Sequence, residues 1–404
     1  MLNGLGKHSH RCSSQPWWPD ELCCKVMLAI KNILRLLVGL ALMSIGLPGG
    51  PAFAISEANA AKPRPPSAAR PADVATPPTA PRPVPARPIA KRDAPTKKAA
   101  KPSAAGDATA QQQRLGTVSN VRSWAVQMQN LDVSSAASTQ ADLIVVDATS
   151  GAAGGRALTA DEVTALKRKP DGSRRVAISY LSIGESEDYR PDYFNSEYMT
   201  EDAPDWLLKE NSRWKGNRLI RFCKEGWQRT ILGDDDGRNV YNSLDPSPLY
   251  KLIELGFDGV YLDRVDVYSE VQKECPDAAS KMVEFVARLA AHARKKNPNF
   301  IVILQNAEEL LSDPRMVDAI DAVAKEDLFY GANHTERENE ASMVSGILQN
   351  LAFATAQGRP IFVLDYLRDG NLRAADKAKI EARGFIPYFG PRKLDQLWLP
   401  GQHF

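Results

Sequence analysis

The chain contains few of the residues that build metal-dependent active sites. Its 404 residues include five histidines and five cysteines, without an H-E-x-x-H motif or a Cys/His cluster. Only His334 follows a predicted strand; the other histidines lie near the N-terminus, in a predicted helix or near the C-terminus. Because zinc hydrolases need three or more protein ligands at suitable spacing, we predict no metal and no cofactor.

Motifs for a serine nucleophile or a nucleotide are also absent. No G-x-S-x-G element occurs, which excludes the nucleophile elbow. The glycine-rich stretch 151–155 is neither a P-loop nor G-x-G-x-x-G, so we interpret it as a flexible loop. The acidic insert 234–239 lacks the acid spacing and the closing Glu of a calcium loop. The net charge of +2 identifies no partner, and we predict no nucleic-acid partner.

The N-terminal apolar run is too short to span a bilayer comfortably. It covers residues 36–47, follows Lys25, Lys31 and Arg35, and precedes an A-x-A cleavage pattern at 52–54. We predict a signal peptide over 27–54 and export to the periplasm or the extracellular space. An uncleaved anchor is the alternative, and it would be the protein's membrane attachment. We interpret residues 1–26 as an unstructured extension or a misassigned start, with translation beginning at Met27.

Residues 55–113 are predicted to be a disordered basic linker. Between 61 and 101 the chain carries ten Lys or Arg and two Asp among many Pro and Ala residues. A segment of this composition does not bury a core. Its charge suits attachment to an anionic envelope polymer, and a plain spacer is the alternative.

Export changes the interpretation of the cysteines. The predicted mature chain keeps Cys223 and Cys275, in an oxidising compartment. The sequence leaves open whether they form a disulfide or remain two free thiols.

Residues 114–404 alternate strand-like apolar runs with helical patterns. A capping box at 159–162 and apolar stripes over 281–296 and 343–357 mark helices. Strand–helix alternation repeated eight times predicts an α/β fold, the (β/α)8 TIM-type barrel, with an open doubly wound sheet as the alternative. The predicted strands are 121–128, 142–146, 175–183, 218–222, 259–263, 300–305, 319–325 and 360–366, with a further apolar run at 384–389.

Asp263 ends the fifth predicted strand, within the stretch G-F-D-G-V-Y-L-D-R-V-D-V-Y at 256–268. Period-2 alternation turns Asp263, Tyr261 and Gly259 inward and sends Val260 and Leu262 outward, against helices. Burying an unpaired carboxylate costs several kcal/mol. The acid is therefore either held by a partner, such as the Arg that follows it, or acts on a ligand.

Polar residues also stand at the carboxyl ends of the other predicted strands, where barrels carry their active sites. We predict that they line one mouth. The predicted substrate-binding residues are Asp147, Tyr180, Ser182, Glu185, Tyr261, Asp266, Gln305, Asn306, Asp327, Tyr330, Asp365 and Tyr366.

An aromatic-rich insert follows the third predicted strand. Aromatic faces beside carboxylates suit sugar rings, and a small aromatic core of the insert's own is the alternative. The aromatic residues are Tyr189, Tyr193, Phe194, Tyr198, Trp206 and Trp214, with Trp227 after the next strand.

What remains for chemistry is a pair of carboxylates. In glycoside hydrolysis one acid protonates the leaving oxygen while the other acts as nucleophile or as base for water. Asp263 and Glu326, on the fifth and seventh predicted strands, are the predicted catalytic pair. The like charge of Asp327 favours a raised pKa and an acid role for Glu326. A salt bridge from Glu326 to Lys325 or Arg315 is the alternative.

Four motifs carry a resemblance to a known family. They are S-I-G-E-S-E-D-Y at 182–189, the G-F-D-G...D-R-V-D stretch, Q-N at 305–306 and A-K-E-D-L-F-Y at 324–330. They resemble glycoside hydrolase family 114, and more closely its bacterial branch. The resemblance implies a barrel, endo-α-1,4-polygalactosaminidase activity, and Asp263 and Glu326 as the catalytic pair. The fungal members tend to have Asn where this chain has Arg264.

Two hypotheses follow from different classes of function. The first is a secreted glycosidase that cleaves an amino-sugar polysaccharide. The second is a non-catalytic envelope protein that binds polysaccharide through the same mouth. Because both carboxylates are present, the sequence favours the enzyme.

Overall fold

The computed structural model describes residues 104–151, 155–190, 203–212, 214–240, 245–333 and 335–398. The predicted signal peptide, nearly all of the predicted linker and His334 lie outside these ranges. The helices are α1 (Ala104–Ser119), α2 (Val133–Ala137), α3 (Ala160–Leu166), α4 (Glu225–Leu232), α5 (Pro248–Glu254), α6 (Ala278–Lys296), α7 (Pro314–Ala319), α8 (Ala341–Thr355) and α9 (Gly370–Glu381). The strands are β1 (Trp124–Gln127), β2 (Leu143–Val146), β3 (Val176–Ser182), β4 (Glu185–Glu187), β5 (Leu207–Glu210), β6 (Asn217–Ile220), β7 (Gly259–Asp263), β8 (Ile301–Gln305), β9 (Ala322–Glu326), β10 (Ile361–Asp365) and β11 (Ile386–Phe389).

Eight parallel strands form a nearly closed barrel, in the order β1-β2-β3-β7-β8-β9-β10-β11. The predicted (β/α)8 class is therefore confirmed. Among the described strands no backbone ladder joins β1 to β11. Side chains cross this seam instead: Trp124 Nε1 donates to the Ile386 carbonyl at 3.0 Å, and its ring lies against Tyr388.

The core has two layers separated by the barrel wall. Inside the barrel, a cluster of side chains such as Val145, Tyr261 and Ile303 fills the interior. Outside it, Val260 and Leu262 belong to the larger cluster that packs the strands against the helices. The predicted alternation along β7 is therefore confirmed. Both faces of a parallel barrel strand are buried, so apolar residues occupy the inward and the outward positions alike.

The prediction that 218–222 is the fourth barrel strand is wrong. Its observed counterpart, β6, is the middle strand of a separate antiparallel sheet, β4-β6-β5, which lies in the long connection between β3 and β7. β7 is consequently the fourth barrel strand, β9 the sixth, and β11 supplies the eighth. A short apolar run looks the same in either kind of sheet, so the sequence pattern did not separate them.

Three predicted helices are confirmed, as α3, α6 and α8. Thr159 and Glu162 form the predicted capping box at the start of α3, and α6 buries the predicted apolar stripe. α1 begins inside the predicted linker, ten residues before the predicted boundary at 114. Its Arg114 donates to Asp321 at 3.0 Å and to the Pro298 carbonyl at 2.7 Å, which fixes the helix to the barrel. In the described part of the chain, no helix is long and apolar enough to cross a membrane.

A disulfide joins Cys223 to Cys275, 52 residues along the chain. Cys223 follows the antiparallel sheet, and Cys275 lies between β7 and α6. The bond therefore connects the long β3–β7 connection to the segment that leaves the carboxyl end of β7.

We expect the double variant Cys223→Ser/Cys275→Ser to unfold at lower temperature and lower denaturant concentration. Closing a loop of this length restricts the unfolded chain, and its loss costs about 4 kcal/mol by loop-closure entropy. Thermal unfolding of both proteins without reductant measures the difference. Non-reducing peptide mapping that finds two free thiols in the wild-type protein would contradict the assignment.

Candidate active site

Asp263 and Glu326 stand at the same end of the barrel. Asp263 ends β7 and Glu326 ends β9, with β8 between them. Both continue the inward parity of their strands, because Tyr261 and Ala324 lie in the interior cluster. The predicted pair therefore faces one mouth from next-but-one strands.

The residue that follows each of the three central strands has a left-handed backbone. The φ angles are 58° at Arg264, 52° at Asn306 and 51° at Asp327. This conformation is uncommon in residues other than glycine and costs on the order of 1–3 kcal/mol for each. The three strands thus end abruptly, directly after the residues that face the mouth.

The Asp263 carboxyl has a tyrosine partner, and within the described part of the chain it forms no salt bridge. Tyr180 Oη donates to its Oδ2 at 2.8 Å. Burial, and then the charge of Glu326, raise the pKa of Asp263 to about 7. The alternative pairing with Arg264 is not formed, because that guanidinium contacts Glu185, Asp266 and Glu270.

Glu326 is held in a similar way. Tyr366 Oη donates to its Oε1 at 2.5 Å, and its backbone N–H donates to Asn306 Oδ1 at 3.1 Å. Burial raises the pKa of the carboxyl, and Asp327 adds to the effect. The alternative salt bridges are not formed: Lys325 pairs with Glu308, and Arg315 pairs with Asp313 and Glu284.

Tyr261 contributes a third buried hydroxyl, on which the charges of both acids act. Its side chain is 2% exposed, and its hydroxyl has no hydrogen-bond partner among the described residues. Burial, then the charges of Glu326 and Asp263, raise the pKa of this phenol well above its usual range. A buried hydroxyl without a partner is uncommon in proteins, and here it lies within the electrostatic influence of both carboxyls.

Arg264 is surrounded by three carboxylates. It lies 3.0 Å from Glu185, 3.2 Å from Asp266 and 2.6 Å from Glu270. The fully enclosed Glu185 also accepts from Asn211 and Asn217. This arrangement needs a glycine at 184, where a Cβ would lie 2.0 Å from the Arg264 carbonyl oxygen.

A second arginine, Arg190, also pairs with more than one carboxylate. It pairs with Asp147 and with Glu187. Glu187 also accepts from Tyr189 at 2.5 Å and lies 3.3 Å from the Tyr180 hydroxyl. The sequence analysis missed Glu187 and Arg190. The period of β4 carried the signal for Glu187, since it shares a face with Glu185.

Arg392 pairs with Asp327, the acid that directly follows Glu326. Its guanidinium donates to both oxygens of Asp327, at 2.9 and 2.8 Å, and lies 4.3 Å from the centre of the Tyr366 ring. Sequence reasoning missed this residue as well. Arg392 lies shortly after the end of β11, so it can be recognised as a strand-end residue only once β11 is counted as a barrel strand.

Two predicted substrate-binding residues lie away from the mouth. Asp365 is 0% exposed on the outer side of β10, where it accepts from the Leu328 N–H at 3.0 Å and lies against Asp376 of α9. Tyr330 packs in the outer core, with its hydroxyl 3.2 Å from Lys379. For Asp365 the reason is parity, since Leu364 faces the barrel interior and its neighbour must face outward.

The remaining predicted residues follow the barrel wall. Ser182 is buried at the end of β3 and donates to the Glu185 carbonyl, and Gln305 ends β8 with an inward parity. Within the aromatic insert, Trp206 and Trp227 form a buried aromatic core with ring centres 4.9 Å apart, as in the alternative interpretation. Trp214 is 60% exposed. Tyr193, Phe194 and Tyr198 lie outside the described residues.

We expect Asp263→Asn to stabilise the fold at pH 8. The folded pKa of about 7 is above the unfolded value, so the stability contributed by the protonated form is full below pH 4 and is lost as the pH rises through 7. The amide removes this loss, up to about 4 kcal/mol. Unfolding measured at pH 4 and pH 8 checks the gain, with Asp318→Asn on the exposed face of α7 as the control. An equal effect at both pH values would contradict it.

The chain is similar to proteins from two microorganisms. An uncharacterized protein of Deinococcus radiodurans is 35% identical over 226 residues, which cover 56% of this chain and 67% of that protein. An uncharacterized protein of Methanocaldococcus jannaschii is 30% identical over 295 residues, which cover 68% of this chain and 79% of that protein.

A solved structure and a family model agree with this barrel. The glycoside hydrolase domain of PelA from Pseudomonas aeruginosa matches with a TM-score of 0.51 at 19% identity, over 69% of this chain and 97% of that chain. At this identity the likeness concerns the fold. The model of the glycoside-hydrolase family GH114 matches residues 103–400. The chain therefore belongs to glycoside hydrolase family GH114.

Proposed function

We propose that the protein hydrolyses glycosidic bonds in an amino-sugar polysaccharide, with Asp263 and Glu326 as its catalytic carboxyls. The observation that carries the proposal is the pair itself: two inward acids at one mouth, each bonded to a tyrosine and, among the described residues, neither in a salt bridge with a cation. Membership of GH114 supports a glycosidase.

The two raised pKa values suit paired-carboxyl catalysis. Because each ionised acid destabilises the other in a buried site, the pair retains a proton near neutral pH. The protonated carboxyl donates to the leaving oxygen, and the ionised one attacks the sugar carbon or activates water. Tyr180, Tyr261 and Tyr366 supply hydroxyls around the reacting carbon.

The charge of the mouth favours a cationic or hydroxyl-rich sugar. Arg190, Arg264 and Arg392 pair with twice as many flanking acids: Asp147, Glu187, Glu185, Asp266, Glu270 and Asp327. The described residues around the pair therefore carry more acids than arginines. We propose galactosamine-type units as substrate, in line with the endo-α-1,4-polygalactosaminidase activity associated with the family. Four of the predicted substrate-binding acids then act on the sugar indirectly, through the arginines that they hold: Asp147, Glu185, Asp266 and Asp327. At the carboxyl end of β8, Gln305 and Asn306 bind the sugar.

Export remains part of the proposal. The signal pattern at 27–54 and the basic linker predict a periplasmic or extracellular protein, held near an anionic envelope polymer. The disulfide between Cys223 and Cys275 is consistent with an oxidising compartment.

We expect the mature chain 55–404 to release reducing ends from galactosamine polymers, either de-N-acetylated or acetylated. Asp263→Asn and Glu326→Gln are expected to lower kcat by at least about a thousandfold, since each removes a group needed in the transition state. Asp318→Asn, on the exposed face of α7, is the control for a lost carboxylate. Unchanged turnover in both catalytic variants would overturn the site, and no turnover on any polymer would favour a binding protein.

We expect a bell-shaped dependence of kcat/KM on pH. Activity requires one ionised and one protonated carboxyl, so it rises as the first proton leaves and falls as the second leaves. The falling limb is expected near pH 7, the pKa of Asp263. Initial rates between pH 3 and pH 9 in buffers of constant ionic strength provide the measurement. Activity still rising at pH 9 would contradict a shared proton.

A further inference from the structure

We propose that Arg392 is a positioning residue for Glu326, and that it acts through Tyr366 and Asp327. The inference rests on the catalytic role proposed for Glu326 and adds a residue from outside the barrel strands. Arg392 belongs to the segment 390–398, which follows β11 and is called here the C-terminal strap.

The geometry links one guanidinium to both neighbours of the acid. Arg392 bonds both oxygens of Asp327, the residue directly after Glu326. The same group lies 4.3 Å from the ring centre of Tyr366, whose hydroxyl donates to Glu326 at 2.5 Å. A displacement of Arg392 therefore changes the backbone beside the carboxyl and the hydrogen bond to it.

The contact leaves little space. Asp327 has a left-handed backbone with φ of 51°, and Gly331 packs against its carboxylate. A Cβ at 331 would lie 2.5 Å from Asp327 Oδ1 and 3.1 Å from an Arg392 nitrogen. The chain keeps a strained turn and a glycine around this pair, which a surface ion pair does not require.

Stability alone gives a weak reason for the pair. The Arg392 side chain is 47% exposed, and exposed ion pairs typically contribute about 0–1 kcal/mol. Arginine nevertheless combines two contacts that lysine does not: a planar, bidentate bond to a carboxylate and stacking on an aromatic face. Both contacts are present here, on the two residues that hold the proposed catalytic carboxyl.

The strap is itself fixed across the seam of the barrel. The Leu394 carbonyl accepts from the backbone N–H of Met128 at 2.8 Å and of Gln129 at 3.0 Å, just beyond β1. Gln127 donates to the Asp395 carbonyl at 3.3 Å. Arg392 thus reaches the mouth from a segment anchored to the first strand, and it contacts residues that follow the sixth and seventh.

The positive charge of Arg392 provides a measurement that separates the proposed role from a purely structural one, namely the pKa of Glu326. The ionisable groups that act on Glu326 are Asp263, Asp327, Lys325, Arg392, Tyr261 and Tyr366. Among them, Lys325 and Arg392 are the cations, and both lower the pKa of Glu326. Removing the Arg392 charge should raise the pKa of Glu326, whereas lysine at 392 should keep it.

The test compares Arg392→Ala and Arg392→Lys in the mature chain, with Lys393→Ala as the matched control. Lys393 is exposed, carries the same charge and neighbours Arg392 in the strap. Glutamate labelled with 13C at the side-chain carboxyl reports the pKa of Glu326 by NMR, with Glu326→Gln identifying its signal. This titration requires no substrate, so it is independent of whether a polymer is cleaved.

We expect Arg392→Ala to raise the pKa of Glu326 and to lower kcat about a hundredfold with little change in KM, because the acid is displaced from its working position. Arg392→Lys should keep the pKa but lose most of kcat. Lys393→Ala should match the wild type within about twofold. If Arg392→Ala does not fold, the lysine variant still tests the geometry, and wild-type kcat in that variant overturns the proposal.

An unshifted Glu326 titration in a folded Arg392→Ala protein would also overturn it. Absence of turnover in the wild type, with the titration shifted as expected, would instead overturn the proposed function and leave the contact between Arg392 and Glu326 supported.

Discussion

The burial of two carboxyls at one mouth is the constraint on which this end of the barrel depends. Burial raises the pKa of Asp263 and of Glu326, and the charge of Glu326 adds to the effect on Asp263. Because burying a polar group costs free energy unless it is hydrogen-bonded, both carboxyls need fixed partners. Here the flanking arginines are each held by other acids, and the pair is left with tyrosine hydroxyls. The left-handed turns after β7, β8 and β9 complete this rigid rim.

Much of the candidate site could be predicted from the sequence by one rule: successive side chains of a strand point to opposite faces. It placed Asp263 and Tyr261 inside the barrel, and the structure agrees because both faces of β7 are packed. The same rule places Asp365 on the outer side of β10, because its neighbour Leu364 faces the interior. Consecutive residues of a strand point to opposite faces, so Asp365 and Tyr366 do not share one side. Parity alone did not choose among the acids, and the choice of Asp263 and Glu326 as the proposed catalytic pair rests also on the family motifs.

The partners of the acids were not predictable from local patterns. Arg190 and Arg392 are far apart in the sequence and meet the mouth only after the barrel has formed. The strand count failed for a related reason, because the long connection between β3 and β7 contains strand-like runs of its own. Hydrophobic period shows that a run is a strand, but it does not show which sheet the strand joins.

The strap has a consequence for the order in which the molecule is made. Arg392 and Leu394 follow all eight barrel strands, so a nascent chain carries both carboxyls well before it carries the residues that join the seam at the mouth. A ribosome-bound or truncated chain that ends after β11 would hold the two acids in an incomplete rim. In this architecture, synthesis of the last residues of the strap is the step that separates a chain with the chemical groups from a chain with a finished site.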